Sequence, residues 1–212
     1  MKVKLERNKP HQSYKIDGVR VPGYSTIASE LSKGWMKKWA NSEGLLGHDL
    51  SKITEAVDIG SIAHFLIDCH LNGNEPDLTD YAQVDIDKAE TAYLAYLECE
   101  KKYNLKMIKN ELQLVSYKYR YGGTCDLYCD ISGMKTLIDL KTSKAFYPDM
   151  KIQLAAYRQL LIENGYPVEQ QIIFRIDKET GRFEDIPITL TKEFELFLAL
   201  FNVYKFRKEL KI

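Results

Sequence analysis

Asp126, Asp139 and Lys141 are the residues whose types and spacing could do chemistry. They lie in the stretch Gly123-Thr124-Cys125-Asp126-Leu127-Tyr128-Cys129-Asp130-Ile131-Ser132-Gly133-Met134-Lys135-Thr136-Leu137-Ile138-Asp139-Leu140-Lys141-Thr142-Ser143. A hairpin turning at Ser132-Gly133 sets Asp126 directly across from Asp139. Cross-strand neighbours hold their Cβ atoms about 4.5–5.5 Å apart, close enough for two carboxylates to grip one cation. Lys141 is two residues beyond Asp139 and points to the same side of the strand. Cys125, Leu127, Cys129, Ile131, Ile138 and Leu140 are expected on the opposite, core face. Two acids and an ammonium on one edge of a buried sheet make an active-site arrangement that calls for a metal.

A one-residue slip in register would throw Asp139 and Lys141 to the other face, and the apolar alternation of both strands argues against it. An acid-x-Lys triplet is by itself common, and in a solvated hairpin it is an ordinary surface salt bridge. The chain supplies its own controls. Glu100-Lys101-Lys102 and Glu209-Leu210-Lys211 fall at predicted helix ends, and Asp149-Met150-Lys151 follows Pro148, where Asp149 reads as a helix N-cap. Only Asp139-Leu140-Lys141 closes an apolar β-run with a second acid opposite.

The elements that must position these groups follow from periodicity. Tyr14-Lys15-Ile16 and Val19-Arg20-Val21 around Asp17-Gly18 read as a short hairpin. Ser25 or Thr26 caps a helix running to about Ala40, with Ile27, Leu31, Trp35 and Trp39 on one stripe. A loop over 41–47, a helix from Ser51 to about His70 and a helix over roughly 85–103 come next. The period then alternates, with strands near 111–121, 123–131 and 136–142 and a turn or bulge at Gly122-Gly123. A helix over 149–164, strands near 171–176 and 183–189, and a final helix capped by Thr191 complete one α/β domain over residues 1–212, with helices packed on a mostly antiparallel sheet.

Further groups gather near the acids. Gln153 and Tyr157, four apart on helix 149–164, project from one face and could orient a metal-bound water and a substrate phosphate; alone, they read as an exposed amide and a half-buried tyrosine. His64 follows Gly60 by one turn. A mid-helix glycine costs about 1 kcal/mol against alanine, so it marks close approach of another segment and places His64 where the helix meets the sheet edge. Asp68, a turn further on, could orient its ring. A satisfied core histidine is the competing reading. Glu111 begins the first strand and is either a further carboxylate of the cluster or a surface residue. Tyr117-Lys118-Tyr119-Arg120-Tyr121 interleaves basic and aromatic residues, and Lys144, Lys151 and Arg158 flank the acids. Such side chains hold phosphates and stack unpaired bases.

Thirty basic residues balance thirty acidic ones, so polyanion binding must come from a local patch rather than a global field. No apolar run is long enough for a bilayer and no signal peptide is recognisable, which makes a cytoplasmic setting without membrane contact the expectation. Cys69, Cys99, Cys125 and Cys129 lack Cys-x-x-Cys spacing and read as buried free thiols.

The motifs, in order, resemble the PD-(D/E)XK nuclease superfamily and its RecB-like exonuclease branch. Gly60-Ser61-Ile62-Ala63-His64 resembles the glycine-histidine motif, Gly123-Thr124-Cys125-Asp126 the first acidic strand, Ile138-Asp139-Leu140-Lys141-Thr142 the signature strand, and Gln153-Leu154-Ala155-Ala156-Tyr157 the Gln-x-x-x-Tyr helix. Val21-Pro22-Gly23-Tyr24-Ser25-Thr26-Ile27, with Trp39 and Gly44, is similar to phage-type exonucleases and the mitochondrial genome maintenance exonuclease.

The resemblance implies a restriction-endonuclease-like core, with a central mixed sheet flanked by helices and a helical N-terminal segment. It implies Mg²⁺ or Mn²⁺ on Asp126, Asp139 and the Leu140 carbonyl, with His64 completing the shell and Glu111 assisting. Lys141 would orient water, Gln153 would hold Lys141 or the nucleophile, and Tyr157 would contact phosphate. Ser25, Trp35, Lys118, Arg120, Thr142, Ser143, Lys144, Lys151 and Arg158 are the expected DNA contacts. No cysteine follows Cys129, so the iron–sulfur cluster of the CRISPR adaptation nucleases is not expected. The implied activity is a DNA exonuclease of phage or mobile-element replication, recombination or repair, working on ends or single strands, with a recombinase or single-strand-binding protein as a conceivable partner. A structure-specific or nicking endonuclease, or a module that only binds nucleic acid, are the alternatives.

Overall fold

In a computed structural model the described residues are 1–5, 13–31, 51–143, 145–177 and 180–211, with only the backbone described over 51–58. Their elements run β1 (Lys2–Lys4), β2 (Tyr14–Ile16), β3 (Val19–Val21), a helix over 24–31 (α1), α2 (Ser51–Leu71), β4 (Glu75–Asp77), α3 (Gln83–Lys102), β5 (Lys106–Ser116), β6 (Tyr121–Ile131), β7 (Met134–Lys141), α4 (Asp149–Glu163), β8 (Gln170–Ile176), β9 (Phe183–Pro187) and α5 (Glu193–Leu210). Five strands form the central sheet in the order β5-β6-β7-β8-β9, with only β7 and β8 parallel. The expected α/β class, with a mixed and mostly antiparallel sheet flanked by helices, is the one observed. Trp35, Trp39, Gly44 and Lys144 lie outside the described residues.

Two apolar layers sandwich the sheet. On one face Leu127, Ile138, Leu140 and Phe174 of the sheet cluster with Ile62 of α2 and Tyr96 of α3; on the other Tyr121, Tyr128 and Leu137 cluster with Leu154 and Leu160 of α4 and Phe197 of α5. β7 is therefore buried on both faces, as a central strand flanked by helix layers must be. All four cysteines are free and buried.

Three sequence expectations change. The first concerns Gly122-Gly123, which are not a turn but lie inside β6; the chain turns at 117–120. The Arg120 N–H donates to the Ser116 carbonyl, Ser116 Oγ caps the Tyr119 N–H, and Arg120 takes φ 66°. The glycines admit rings instead of bending the chain. A Cβ on Gly122 would stand 2.2 Å from Tyr14 Cγ, and one on Gly123 would stand 2.6 Å from Tyr157 Cε1. Gly122→Ala therefore overpacks the β2–β6 contact. Chemical denaturation should register a loss of about 1–3 kcal/mol, and an unchanged midpoint would mean that the ring is free to move.

The second change is the face of Cys125. It packs in the α4 layer, while Leu127 and Cys129 pack in the α2 layer. Strict alternation would put all three together, so the pleat breaks at Asp126. The third is minor. Asp149 is the first residue of α4 rather than its N-cap, which is Pro148, and α5 is entered through Lys192 with Thr191 bonded to the Glu193 carboxylate.

Periodicity does not announce β1, which pairs in parallel with β4.

Candidate metal and phosphate site

The hairpin β6–β7 turns at Ser132 (φ 55°) and Gly133 (φ 87°), and this left-handed pair sets the register Leu127↔Ile138 and Tyr128↔Leu137. One step further on that register are Asp126 and Asp139. The β6–β7 ladder stops at Leu127↔Ile138, although β6 stays paired with β5 as far as Tyr121. The strands thus fork, and the Asp126 carboxylate fills the missing rung by accepting the Leu140 N–H at 2.8 Å.

His64 enters this fork from α2. Gly60 lets the helix come down on the sheet edge, where its Cβ would lie 2.9 Å from Thr142 Oγ1. The Leu140 carbonyl lies beside the imidazole and favours its protonated form, against the larger effect of burial. Asp68 has a different role from the one expected: its carboxylate accepts the Asn72 and Asn110 amides and ties α2 to β5. Beside Asn110 stands Glu111, at φ 45°. A left-handed backbone at a non-glycine residue costs about 1–3 kcal/mol and persists only where the surroundings impose it. Ligand atoms of His64, Glu111 and Asp126 all lie within 4.8 Å of one another.

Asp139 completes the picture from the α4 side of the sheet. It is fully buried, and neither carboxylate oxygen has a hydrogen-bond donor among the described residues. Lys141 Nζ stands 2.6 Å from Oδ2, an ion-pair contact whose angle is not that of a hydrogen bond. A buried carboxylate without donors is costly unless a positive charge satisfies it. The oxygen-rich set with one imidazole suits a hard divalent cation, so the residues present fit the implied Mg²⁺ or Mn²⁺.

Charge distribution agrees. Burial raises the Asp139 carboxyl to about 7, with Lys141 pulling it down and Asp126 pushing it up. Burial also lowers the His64 pKa, with Lys141 acting the same way against Asp126 and the Leu140 carbonyl, so the ring is neutral and ligand-competent at neutral pH. The folded protein therefore holds a proton on Asp139 that the unfolded chain has already lost. In the metal-free protein this contribution to stability is full below about pH 4 and disappears as pH rises through about 7. A cation must displace that proton, so Mn²⁺ affinity should climb about tenfold per pH unit below 7 and level off above it, with proton release on binding. Calorimetric Mn²⁺ titrations in buffers of different ionisation enthalpy measure both quantities. A flat pH profile in the wild type would exclude Asp139 as a ligand.

From α4, Gln153 faces the cleft that also receives Lys141, Ser25, Ser29, Tyr147 and Asp149. Tyr157, one turn further along α4, is buried with its ring 5.5 Å from that of Tyr24; burial and the acids push its phenol pKa up. Thr142 and Ser143 follow Lys141 at the mouth, and the Ser143 hydroxyl is bonded to the Ala145 carbonyl. Lys118 and Arg120 are elsewhere. They sit on the exposed β5–β6 turn, six residues along the strand from Asp126, which is about 20 Å. Lys118 lies over the Tyr119 ring there, so this basic pair does not flank the acids as expected. Lys151 acts on Glu193 at the start of α5, and Arg158 is half-buried on α4.

Sequence reasoning missed three residues that hold the site together. Tyr24 closes the cleft over Tyr157 and Lys141. The Tyr14 hydroxyl bonds Thr124 Oγ1 at 2.8 Å. Arg175, buried opposite Lys141 on β8, pairs with Glu184 and donates to the Ser143 carbonyl at 2.8 Å, anchoring the chain just past Lys141. A lone arginine in an apolar strand was the available signal for the last.

Among known proteins, no family model matches the chain, and no curated protein does. Solved structures resemble it loosely. A structure described as that of an exonuclease candidate from Eubacterium rectale aligns with TM-score 0.41 and 17% identity, covering 74% of this chain and 67% of its own. The structure of a protein designated SSO0001 aligns with TM-score 0.37 and 16% identity, covering 84% of this chain and 71% of its own.

Proposed function

We propose that the protein is a metal-dependent DNA exonuclease that hydrolyses phosphodiester bonds in the fork between β6 and β7. The observation that carries this reading is Asp139: a fully buried carboxylate without a hydrogen-bond donor among the described residues, 2.6 Å from an ammonium and in the electrostatic field of Asp126, which belongs to the His64–Glu111–Asp126 cluster. His64, Asp126, Asp139 and the Leu140 carbonyl would hold Mg²⁺ or Mn²⁺, with Glu111 beside them. When bound, such a cation supplies Lewis-acid activation of the phosphodiester and of water.

Hydrolysis forms one P–O bond from water and breaks the P–O bond to the leaving sugar oxygen, which takes up a proton. Negative charge grows on the phosphate oxygens between these events. Lys141 offers a fixed positive charge there, held in place by Asp139 and needing no reorganisation as the charge develops. Gln153 is placed to orient Lys141 or the attacking water. Tyr157, buried against Tyr24, would support the site from behind rather than make the phosphate contact the resemblance implies.

The same chemistry would serve a nicking or structure-specific endonuclease. Incubation with covalently closed circular DNA separates the two, since an obligate exonuclease cannot begin on it. Degradation of linear DNA in Mg²⁺ or Mn²⁺, with the closed circle left intact, is expected. Conversion of the circle to nicked or linear forms would overturn the exonuclease assignment.

A further inference from the structure

A second cavity, of about 350 Å³, lies between the β2–β3 hairpin, the first turn of α1 and the last turns of α5. Its polar lining is Arg20, Lys208, Tyr14, Tyr204, Ser25 and Thr26, with no acidic side chain among the described residues. Arg20 and Lys208 come from opposite ends of the chain and form no ion pair with any described residue. Two cations without a counter-charge among the described residues give this concave basin a positive potential that an anion would satisfy.

The fold commits specific interactions to keeping them there. Arg207 pairs with Glu30 at 2.7 Å and locks the end of α5 onto α1, so that Lys208 faces the basin. The Tyr14 ring, seated on Gly122, forms the wall on the other side. Ser25 and Thr26 belong to the first turn of α1, so the positive end of the helix dipole adds to the side-chain charges, although the Thr26 and Ile27 N–H groups are themselves bonded to the Gly23 carbonyl.

Position gives the basin its meaning. Ser25 lines both this cavity and the cleft that holds Lys141 and Gln153, so the two adjoin at that residue. Tyr14 reaches the site from the other flank through Thr124, and its phenol pKa is raised by burial and, in smaller part, by Glu111.

We infer that this basin is a phosphate-binding subsite, in which Arg20 and Lys208 clamp a phosphate of the nucleic-acid strand whose neighbouring phosphodiester lies at Lys141. The inference rests on the nuclease reading for its substrate, and on the cavity alone for its chemistry. It sets the register of the strand: one phosphate is held while another is cut.

The test is equilibrium binding of fluorescent single-stranded oligonucleotides to the full chain in chelator, so that no cleavage intervenes. Wild type is compared with the Arg20→Gln/Lys208→Gln double variant. Both residues are exposed, and matching melting curves would show that the fold is kept. The double variant should bind roughly tenfold or more weakly. Its log Kd against log salt slope should fall by about 0.7, which is what neutralising a single phosphate of a single strand contributes. Inorganic phosphate should compete with the oligonucleotide in wild type and have no such effect in the variant.

Three oligonucleotides identify the phosphate: linear with a 5′-phosphate, linear with a 5′-hydroxyl, and circular. A defect confined to the first assigns a terminal phosphate, and an equal defect on all three assigns an internal one. Unchanged affinity and salt slope in the double variant would overturn the subsite. Wild type that binds as described but cleaves nothing in Mn²⁺ would sink the nuclease reading and leave the subsite standing.

Discussion

Lys141→Ala and Asp139→Asn are each expected to lower metal-dependent DNA cleavage by at least a hundredfold while leaving a folded protein. Removing one preorganised charge-stabilising group from an enzyme site costs about 10²–10³ in kcat, and the proposed mechanism has both residues act at the same phosphate. They fail for different reasons. Without Lys141 the developing phosphate charge loses its fixed cation, and Asp139 loses the ammonium at 2.6 Å. Burial already raises the Asp139 carboxyl to about 7, so the variant can take up a proton instead of unfolding. Without the Asp139 carboxylate, the buried negative charge that the cation balances is gone. Single-turnover cleavage of end-labelled DNA, with far-ultraviolet circular dichroism as the folding control, measures both. Full activity in either variant would refute the assignment.

Divalent cations should stabilise the wild type against heat, and Asp126→Asn should abolish the effect. At a hundred times its Kd, a ligand of the folded state adds about 2.7 kcal/mol; for a chain of this size that is a rise in melting temperature of about 5–10 °C. Asp126 is the most informative position because its two duties separate. The Asn side chain keeps an oxygen for the Leu140 N–H, so the rung closing the fork survives while the charge does not. Glu111→Gln and His64→Ala should shrink the shift by smaller amounts. Differential scanning fluorimetry in Mn²⁺ and in chelator reads it directly. An undiminished shift in Asp126→Asn would move the cation elsewhere.

Much of the site was legible because hairpin register is short-range information. Ser132-Gly133 demands a two-residue turn, the turn fixes Leu127 opposite Ile138, and Asp126 and Asp139 follow. Gly60 and His64 were legible for a similar reason, since one turn of helix carries a glycine contact into a histidine contact. Less legible was whatever depends on how layers meet. Gly122-Gly123 looks like a turn on local grounds, yet the glycines exist for the Tyr14 and Tyr157 rings, from residues far away in sequence. The face switch at Asp126 and the left-handed Glu111 fall at one gap in the β5–β6 pairing, between Asn110↔Leu127 and Leu112↔Cys125, which periodic alternation cannot announce. Lys118 and Arg120 misled because a strand shifted by a few residues carries a basic patch away from the acids. Arg20 and Lys208 meet only through the packing of α5 on α1, and no spacing rule links them.

The central claim is a cation-dependent phosphodiester hydrolase built where β6 parts from β7. A time course on end-labelled single- and double-stranded DNA, in Mg²⁺, in Mn²⁺ and in chelator, tests it most directly. Progressive loss of label with either cation and none with chelator is the predicted result. Intact DNA under all three conditions, with a folded protein and a saturated cation site, would contradict it.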